Sequence, residues 1–206
     1  MSFFNKNILN IEKLLWDIEK IEIFSENLNN EKIIDFKNNN QRLFSIIKNY
    51  ELTSSLIIKL RQSKYFCFKK KTESYELIRK KYKLIFNCDS NNKITKKFFN
   101  KKFNKDYNSF AYTSIIEHDK LAKNNVATQT FTKKGPIAFL PISNKKTSVV
   151  YSLKGNKNIG IESLIKKFNI KYKINKINKV SCFELKSSDL RSYYHENILA
   201  FGDLLH

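Results

Sequence analysis

Two carboxylates in this sequence stand where chemistry could be done. Gly202 and Asp203 follow the apolar run Asn197-Ile198-Leu199-Ala200-Phe201, and Asp89 comes shortly after the run Lys83-Leu84-Ile85-Phe86-Asn87. In an open α/β sheet, ligands sit just outside the carboxyl ends of strands, often against the first turn of the next helix. Either carboxylate could serve such a site, and each taken alone reads equally well as a turn residue. Other reactive groups are sparse. His118, His195 and His206 lack a metal-ligand spacing, and no Ser-His-Asp or Cys-His arrangement is legible. Cys67, Cys88 and Cys182 are far apart and odd in number, so they read as buried free thiols and not as a disulfide framework or a zinc site. The only glycines are Gly135, Gly155, Gly160 and Gly202, which excludes a glycine-rich phosphate loop. If the chain belongs to an enzyme, a cofactor carries the hard chemistry.

The elements that must position these groups are drawn from 206 residues, of which 41% are hydrophobic and 14% aromatic. That is ample for a packed core and argues against wholesale disorder. No apolar run approaches membrane-spanning length, and the start has no signal-peptide order, so a cytoplasmic protein is expected. The formal net charge of +20 raises nucleic acid as a partner. Against it, the basic residues are almost all Lys, with only Arg42, Arg61, Arg79 and Arg191 able to offer the planar fork that phosphates and bases favour. The joint excess of Lys, Asn, Ile and Phe is what an AT-rich genome writes on permissive positions. Lys-rich stretches at 93–105 and 166–179 read as solvated surface.

Hydrophobic spacing predicts a helix over 5–16, strands over 21–24, 33–36 and 43–47, and a helix after Asn49 with Leu52, Leu56 and Leu60 on one face. A short strand is expected at 65–68, followed by a solvated lysine turn, and another at 83–87. Long strands follow at 107–117, 126–132, 136–142 and 147–153, the last two forming a hairpin around residues 143–146. Ile161, Leu164, Ile165 and Phe168 give a helix stripe, and 179–185 is strand-like. The fold expected is α+β (mixed α/β), with a large, mostly antiparallel sheet.

Three stretches, in order, resemble the flavin-dependent aromatic hydroxylases (monooxygenases). They are Leu84 to Phe99, Thr130 to Leu153, and Asn197 to His206. The resemblance is to the UbiH/UbiF-like branch, which hydroxylates the ring of polyprenylated ubiquinone precursors. A hairpin of that branch reads Phe-Thr-x-x-Gly-Pro-x-Ala-x-Leu-Pro, matched by Phe131, Thr132, Gly135, Pro136, Ala138, Leu140 and Pro141. Its Gly-Asp-x-x-His motif is matched by Gly202, Asp203 and His206, which implies that Asp203 approaches the ribitol of FAD. Of its Asp-Gly-x-x-Ser-x-x-Arg motif only Asp89 is kept: Ser90, Lys93 and Lys96 stand at the other positions. Asp89 is either a cofactor contact or a helix N-cap.

The resemblance implies a flavoprotein oxidoreductase with FAD as cofactor, NAD(P)H as co-substrate and O2 as oxidant. Its substrate would be an aromatic polyprenylated small molecule, and the protein would touch the inner membrane peripherally. Residues 1–60 and 105–192 would form the substrate-binding sheet, with Gly135 to Pro141 on the substrate side. Residues 61–104 and 193–206 would be pieces of an incomplete Rossmann-like FAD-binding domain. The Gly-x-Gly-x-x-Gly loop and the segment after the Gly-Asp motif have no counterpart, so a fragment is expected that does not hold FAD tightly alone. A complementary polypeptide would supply the remainder. A basic nucleic-acid-binding protein and a non-catalytic interaction subunit are the alternatives.

Overall fold

The computed structural model describes residues 2–38, 41–69, 75–155 and 160–205. In chain order it contains α1 (Ser2–Asn7), β1 (Leu15–Ile18), β2 (Lys20–Ser25), β3 (Glu31–Lys37), β4 (Phe44–Ile47), α2 (Asn49–Arg61), α3 (Tyr75–Lys81), β5 (Ile85–Asn87) and α4 (Lys93–Phe98). There follow β6 (Lys102–His118), β7 (Val126–Thr132), β8 (Gly135–Pro141), β9 (Lys146–Lys154), α5 (Ile161–Phe168), β10 (Ile174–Ile177), β11 (Ser181–Leu190), β12 (Tyr194–His195) and β13 (Ile198–Ala200). The chain divides into two compact units, Met1–Cys67 with Ser109–Glu184 and Phe68–Asn108 with Leu185–His206. The fold is mixed α+β. Among the described residues, no helix is long and apolar enough to cross a membrane.

The larger unit is built on an eight-stranded sheet in the order β10-β6-β9-β8-β7-β2-β3, with β11 also pairing β6. Along the path from β10 to β3 the pairings are antiparallel except for β2 and β7, which run parallel from Lys20 opposite Val126 to Ser25 opposite Phe131. Burial alternates strictly along β6 from Ser109 and along β9, the period of two that a sheet with one packed face requires. Phe110, Tyr112, Ile116, Ile137, Phe139, Val149, Tyr151 and Leu153 form that face. The α5 side chains Ile161, Ile165 and Phe168 complete its core. The i, i+4, i+7 spacing of these three puts them on one stripe of the helix.

The smaller unit holds a three-stranded sheet in the order β12-β13-β5, in which β13 and β5 are parallel. Phe99, Leu190, Ile198, Ala200 and Leu204 are its buried core, with Ile85, Ile94 and Phe98 packed against them. The Asn197 amide donates to the carbonyls of Arg79 and Tyr82, which closes the end of α3. Arg79 pairs with Glu196 at 2.8 Å in the turn between β12 and β13.

Four expectations are corrected. The predicted helix over 5–16 ends at Asn7, and residues 15–18 are the strand β1, paired antiparallel with β4. The Asn5 side chain accepts the Ile11 amide and the Asn10 side chain accepts the Glu12 amide, offering the backbone an alternative to the helix ladder. The strand expected at 65–68 is irregular, because Phe66 bonds back to Ser63 in a turn after α2. The cap of α2 is Lys48, with Asn49 its first residue. All three cysteines are exposed and unpaired with one another: Cys67 lies in that irregular segment, Cys88 just past β5, and Cys182 on β11. The lysine turn after 68 falls largely outside the described residues, as does His206.

Candidate functional site

Two parallel neighbouring strands send their carboxyl ends to the same edge of a sheet, and the motif carboxylates are found there. Ala200 lies opposite Asn87, and the Phe201 amide extends the ladder one step by donating to the Asn87 carbonyl at 2.9 Å. The chain then turns at Gly202, whose φ of +61° is a left-handed conformation that glycine adopts without strain. A Cβ at this glycine would lie 4.0 Å from the Cβ of Cys88, so the two strand exits run side by side. Asp203 follows, exposed, in a single 3-10 turn anchored by buried Leu204. Asp89 is one residue past Cys88, also exposed, and its carboxylate accepts the Asn91 amide at 2.8 Å.

Behind this edge is a polar cluster that the sequence reading did not anticipate. The Asn87 amide donates to the Thr95 hydroxyl at 2.7 Å, and that hydroxyl donates to the Asp89 carbonyl. Asn92 donates to Asn87 at 2.6 Å while its oxygen accepts the Thr95 amide at 2.8 Å. Asn92 is therefore the N-cap of α4, three residues before the amide it satisfies, and Asp89 is not. The Asn92-x-x-Thr95 spacing was the available signal. Lys93 and Lys96 are exposed on α4.

The residues at this edge suit one part of FAD and not another. Two exposed carboxylates can accept hydrogen bonds from the hydroxyls of a ribitol chain, whereas a pyrophosphate would be repelled by them. Asn92 already occupies one of the few amides at the start of α4, so no phosphate cradle is made here.

In the larger unit, Gly135 opens β8 at φ +134°, and a Cβ there would come within 2.1 Å of the Ser152 carbonyl oxygen. Only glycine lets β8 lie this close to β9. Thr132 donates to the Gly135 carbonyl at 2.7 Å and meets the Tyr151 hydroxyl at 2.9 Å, which fixes the hairpin turn. Pro136 and Pro141 occupy the second and last positions of β8, near its ends. Pro136, Ala138 and Leu140 are half-buried on the face turned away from α5, while Pro141 is buried with Ile137 and Phe139 on the opposite face. Register carries the first set across the sheet. Ala138 is opposite Val150 and Leu140 opposite Ser148, and these face Thr113 and Ile115 of β6. The central rows of that half-buried face contain no charged side chain.

A second buried polar group lies in the larger unit. Asn124 is fully buried and uses its whole side chain. Its amide donates to the Ser143 carbonyl and the Thr147 hydroxyl at 2.9 and 3.3 Å, and its oxygen accepts from Lys171 and Tyr172 at 3.1 and 3.0 Å. His118 lies against Tyr172 with the rings tilted 33° and meets the Asp119 carbonyl at 2.8 Å through Nδ1. A carbonyl only accepts, so Nδ1 carries the hydrogen and Nε2 accepts from Thr147 at 3.0 Å. Burial pushes the Tyr172 phenol up and the Lys171 ammonium down. The cluster closes one end of the sheet. Every buried side-chain nitrogen and oxygen among the described residues has a partner.

No protein-family model matches the sequence, and neither does any curated protein. Solved structures do match the fold. The p-nitrophenol 4-monooxygenase of Pseudomonas putida DLL-E4 superposes with a TM-score of 0.73 at 8% identity, over 100% of this chain and 61% of its own. CtdE, solved in complex with FAD and a substrate, gives 0.68 at 12% identity over 100% and 62% of the two chains. The flavin-dependent brominase Bmp2 gives 0.63 at 9% identity over 99% and 61%. The chain thus spans about three-fifths of the length of these structures and shares the fold of that portion.

Proposed function

We propose that this chain supplies the substrate sheet and the ribitol-binding corner of an FAD-dependent monooxygenase. Its substrate is an aromatic ring of the polyprenylated ubiquinone-precursor type, with NAD(P)H as the reductant. The observation that carries the reading is that Asp89 and Gly202-Asp203 both follow the carboxyl ends of the parallel strands β5 and β13, within a chain that matches flavin enzymes along its whole length. FAD, when bound, supplies the oxygen-transfer chemistry. The chain's own part is to accept the ribitol hydroxyls on Asp203, to keep the strand exits close through Gly202, and to present an apolar sheet face to the ring.

That face favours a neutral ring. Ala138, Leu140, Val150 and Ile115 could bury an apolar tail, and the hydroxyls of Thr113 and Ser148 could pair with neutral polar groups, but the face offers no cation to a carboxylate, whose charge would be desolvated without an ion partner. Among the described residues the strand exits form no phosphate cradle, so weak flavin binding is expected from the isolated chain. Titration of riboflavin, lumiflavin and FAD by fluorescence tests the ribitol contact. Riboflavin and FAD should give saturable quenching that Asp203→Ala weakens, and lumiflavin, which lacks the ribitol, should ignore the substitution. An Asp203→Ala chain that titrates like the wild type would remove Asp203 from the site.

A further inference from the structure

One lysine of the larger unit is held differently from its neighbours. Lys20, Lys123, Lys146 and Lys167 each meet a carboxylate, at 2.7, 2.7, 3.0 and 2.9 Å. Lys171 meets none. Its Nζ donates to the Asn124 side-chain oxygen at 3.1 Å, and no carboxylate among the described residues lies within ion-pair distance. The turn after α5 imposes this. The Asn169 side-chain oxygen accepts the amides of Lys171 and Tyr172 at 3.3 and 2.9 Å, and the Asn169 side-chain amide donates to the Tyr172 carbonyl at 2.6 Å. Two consecutive residues are thereby pinned. The Tyr172 ring is buried, and Lys171 runs half-buried along it with Nζ 5.2 Å from the ring centre.

These surroundings penalise the charge of Lys171 while keeping its hydrogen bond. Asn124 is fully buried, and its oxygen also accepts the Tyr172 hydroxyl at 3.0 Å, so the ammonium shares a neutral acceptor. The carboxylate whose field reaches Lys171 is Glu22 of β2, itself held by Lys20 at 2.7 Å and Lys32 at 3.6 Å. His118 lies against the Tyr172 ring, and Asp35 shares Lys20 with Glu22. Desolvation outweighs the pull of Glu22 and holds the Lys171 ammonium below the ordinary value of 10.5, which enlarges its share of free amine at neutral pH. A desolvated amine that still reaches solvent is a nucleophile. An amide formed from it carries no charge and keeps one N–H, so it can still donate to Asn124 Oδ1. We propose that Lys171 is a preferred site of N-acylation by acyl thioesters. The amine lone pair attacks the thioester carbonyl carbon, the C–N bond forms as the C–S bond breaks, and the departing thiolate takes up the proton that the amine gives up. The step involves no oxidation and needs neither flavin nor a second polypeptide.

Competitive labelling tests it. The folded chain is treated with a limiting amount of the acetyl thioester of N-acetylcysteamine at about pH 7.5 and at about pH 10, and acetylation of each lysine is followed by peptide mass spectrometry. At the lower pH Lys171 should react about threefold faster or more than the exposed Lys64, Lys134 and Lys179, its larger share of free amine being partly offset by lower nucleophilicity. That advantage should shrink at the higher pH, where a solvated lysine also begins to lose its proton. Glu22→Gln removes the one carboxylate field that favours the ammonium and should speed Lys171 about twofold at the lower pH, leaving the three reference lysines unchanged. Circular dichroism checks that this variant is folded, and the wild-type rates decide the matter without it. A Lys171 rate at or below the reference lysines at the lower pH would overturn the proposal. So would an advantage of the same size at both pH values, which exposure alone would produce, or a Lys171 rate that Glu22→Gln lowers.

Discussion

At the scale of single residues, the least replaceable side chain on the hairpin is one that is missing. The Cβ of an alanine at Gly135 would sit 2.1 Å from the Ser152 carbonyl oxygen, with φ at +134° where L-residues are strained. Gly135→Ala should cost about 3 kcal/mol or more, since backbone has to move on β9 as well as on β8. A urea melt showing less than about 1 kcal/mol would mean the two strands separate at little cost. Asn124→Ala should be comparably severe, about 2–4 kcal/mol, because Tyr172, Ser143 and Thr147 each lose a buried partner. These two residues differ in legibility. Gly135 stood out in the sequence because glycine is rare here and this one falls in the hairpin motif that carries the resemblance. Asn124 sits in the polar stretch Lys123-Asn124-Asn125 and looks like loop. Its importance comes from groups 19 to 48 positions away in sequence, which no local pattern encodes.

At the scale of elements, the long strands, the hairpin and α5 were legible because each carries a period, two or 3.6, over enough residues to stand clear of chance. The segment 5–16 was misread because a four-residue strand cannot display its period. Residues 15–18 become a strand through pairing with 44–47 and through the Trp16 indole donating to the Asn124 carbonyl at 2.7 Å. The parallel match of β2 with β7 is equally invisible locally, since it joins elements a hundred residues apart. Glu26 shows how such a distant join is held. It lies in the turn after β2, accepts the Lys133 amide from the β7–β8 turn, and pairs with Lys167 of α5 at 2.9 Å. These contacts, the amide first, hold its carboxyl below the ordinary value of 4.5. The folded value lies below the unfolded one, so the stabilisation is complete above the unfolded value and is lost as pH falls through the folded value. The gap in unfolding free energy between wild type and Glu26→Gln should be open at pH 7 and close as pH drops to about 3. A gap independent of pH would show that the carboxylate charge contributes nothing to the join.

At the scale of the whole molecule, the two units differ in how much they bury. The larger unit closes a continuous cluster from Phe110 through Tyr172, while the smaller relies on Phe99, Leu190, Ile198, Ala200 and Leu204. Buried apolar area sets local stability, so the smaller unit should open first. Trp16 is the only tryptophan and belongs to the larger unit, which makes its fluorescence a reporter of that unit alone. In urea, amides of β5, β13 and α4 should exchange at concentrations where the Trp16 signal is still native. Ile198→Ala removes a side chain only 1% exposed and should lower the first transition by about 2–4 kcal/mol. It should leave the Trp16 midpoint where it was. Coincident midpoints for fluorescence and exchange, shifted together by Ile198→Ala, would mean that the units unfold as one and that the corner holding Asp89 and Asp203 is as rigid as the sheet. Separate midpoints would instead make that corner the part of the molecule whose order is most easily gained on binding, so that any ligand or partner held there should raise the first transition and leave the second unmoved.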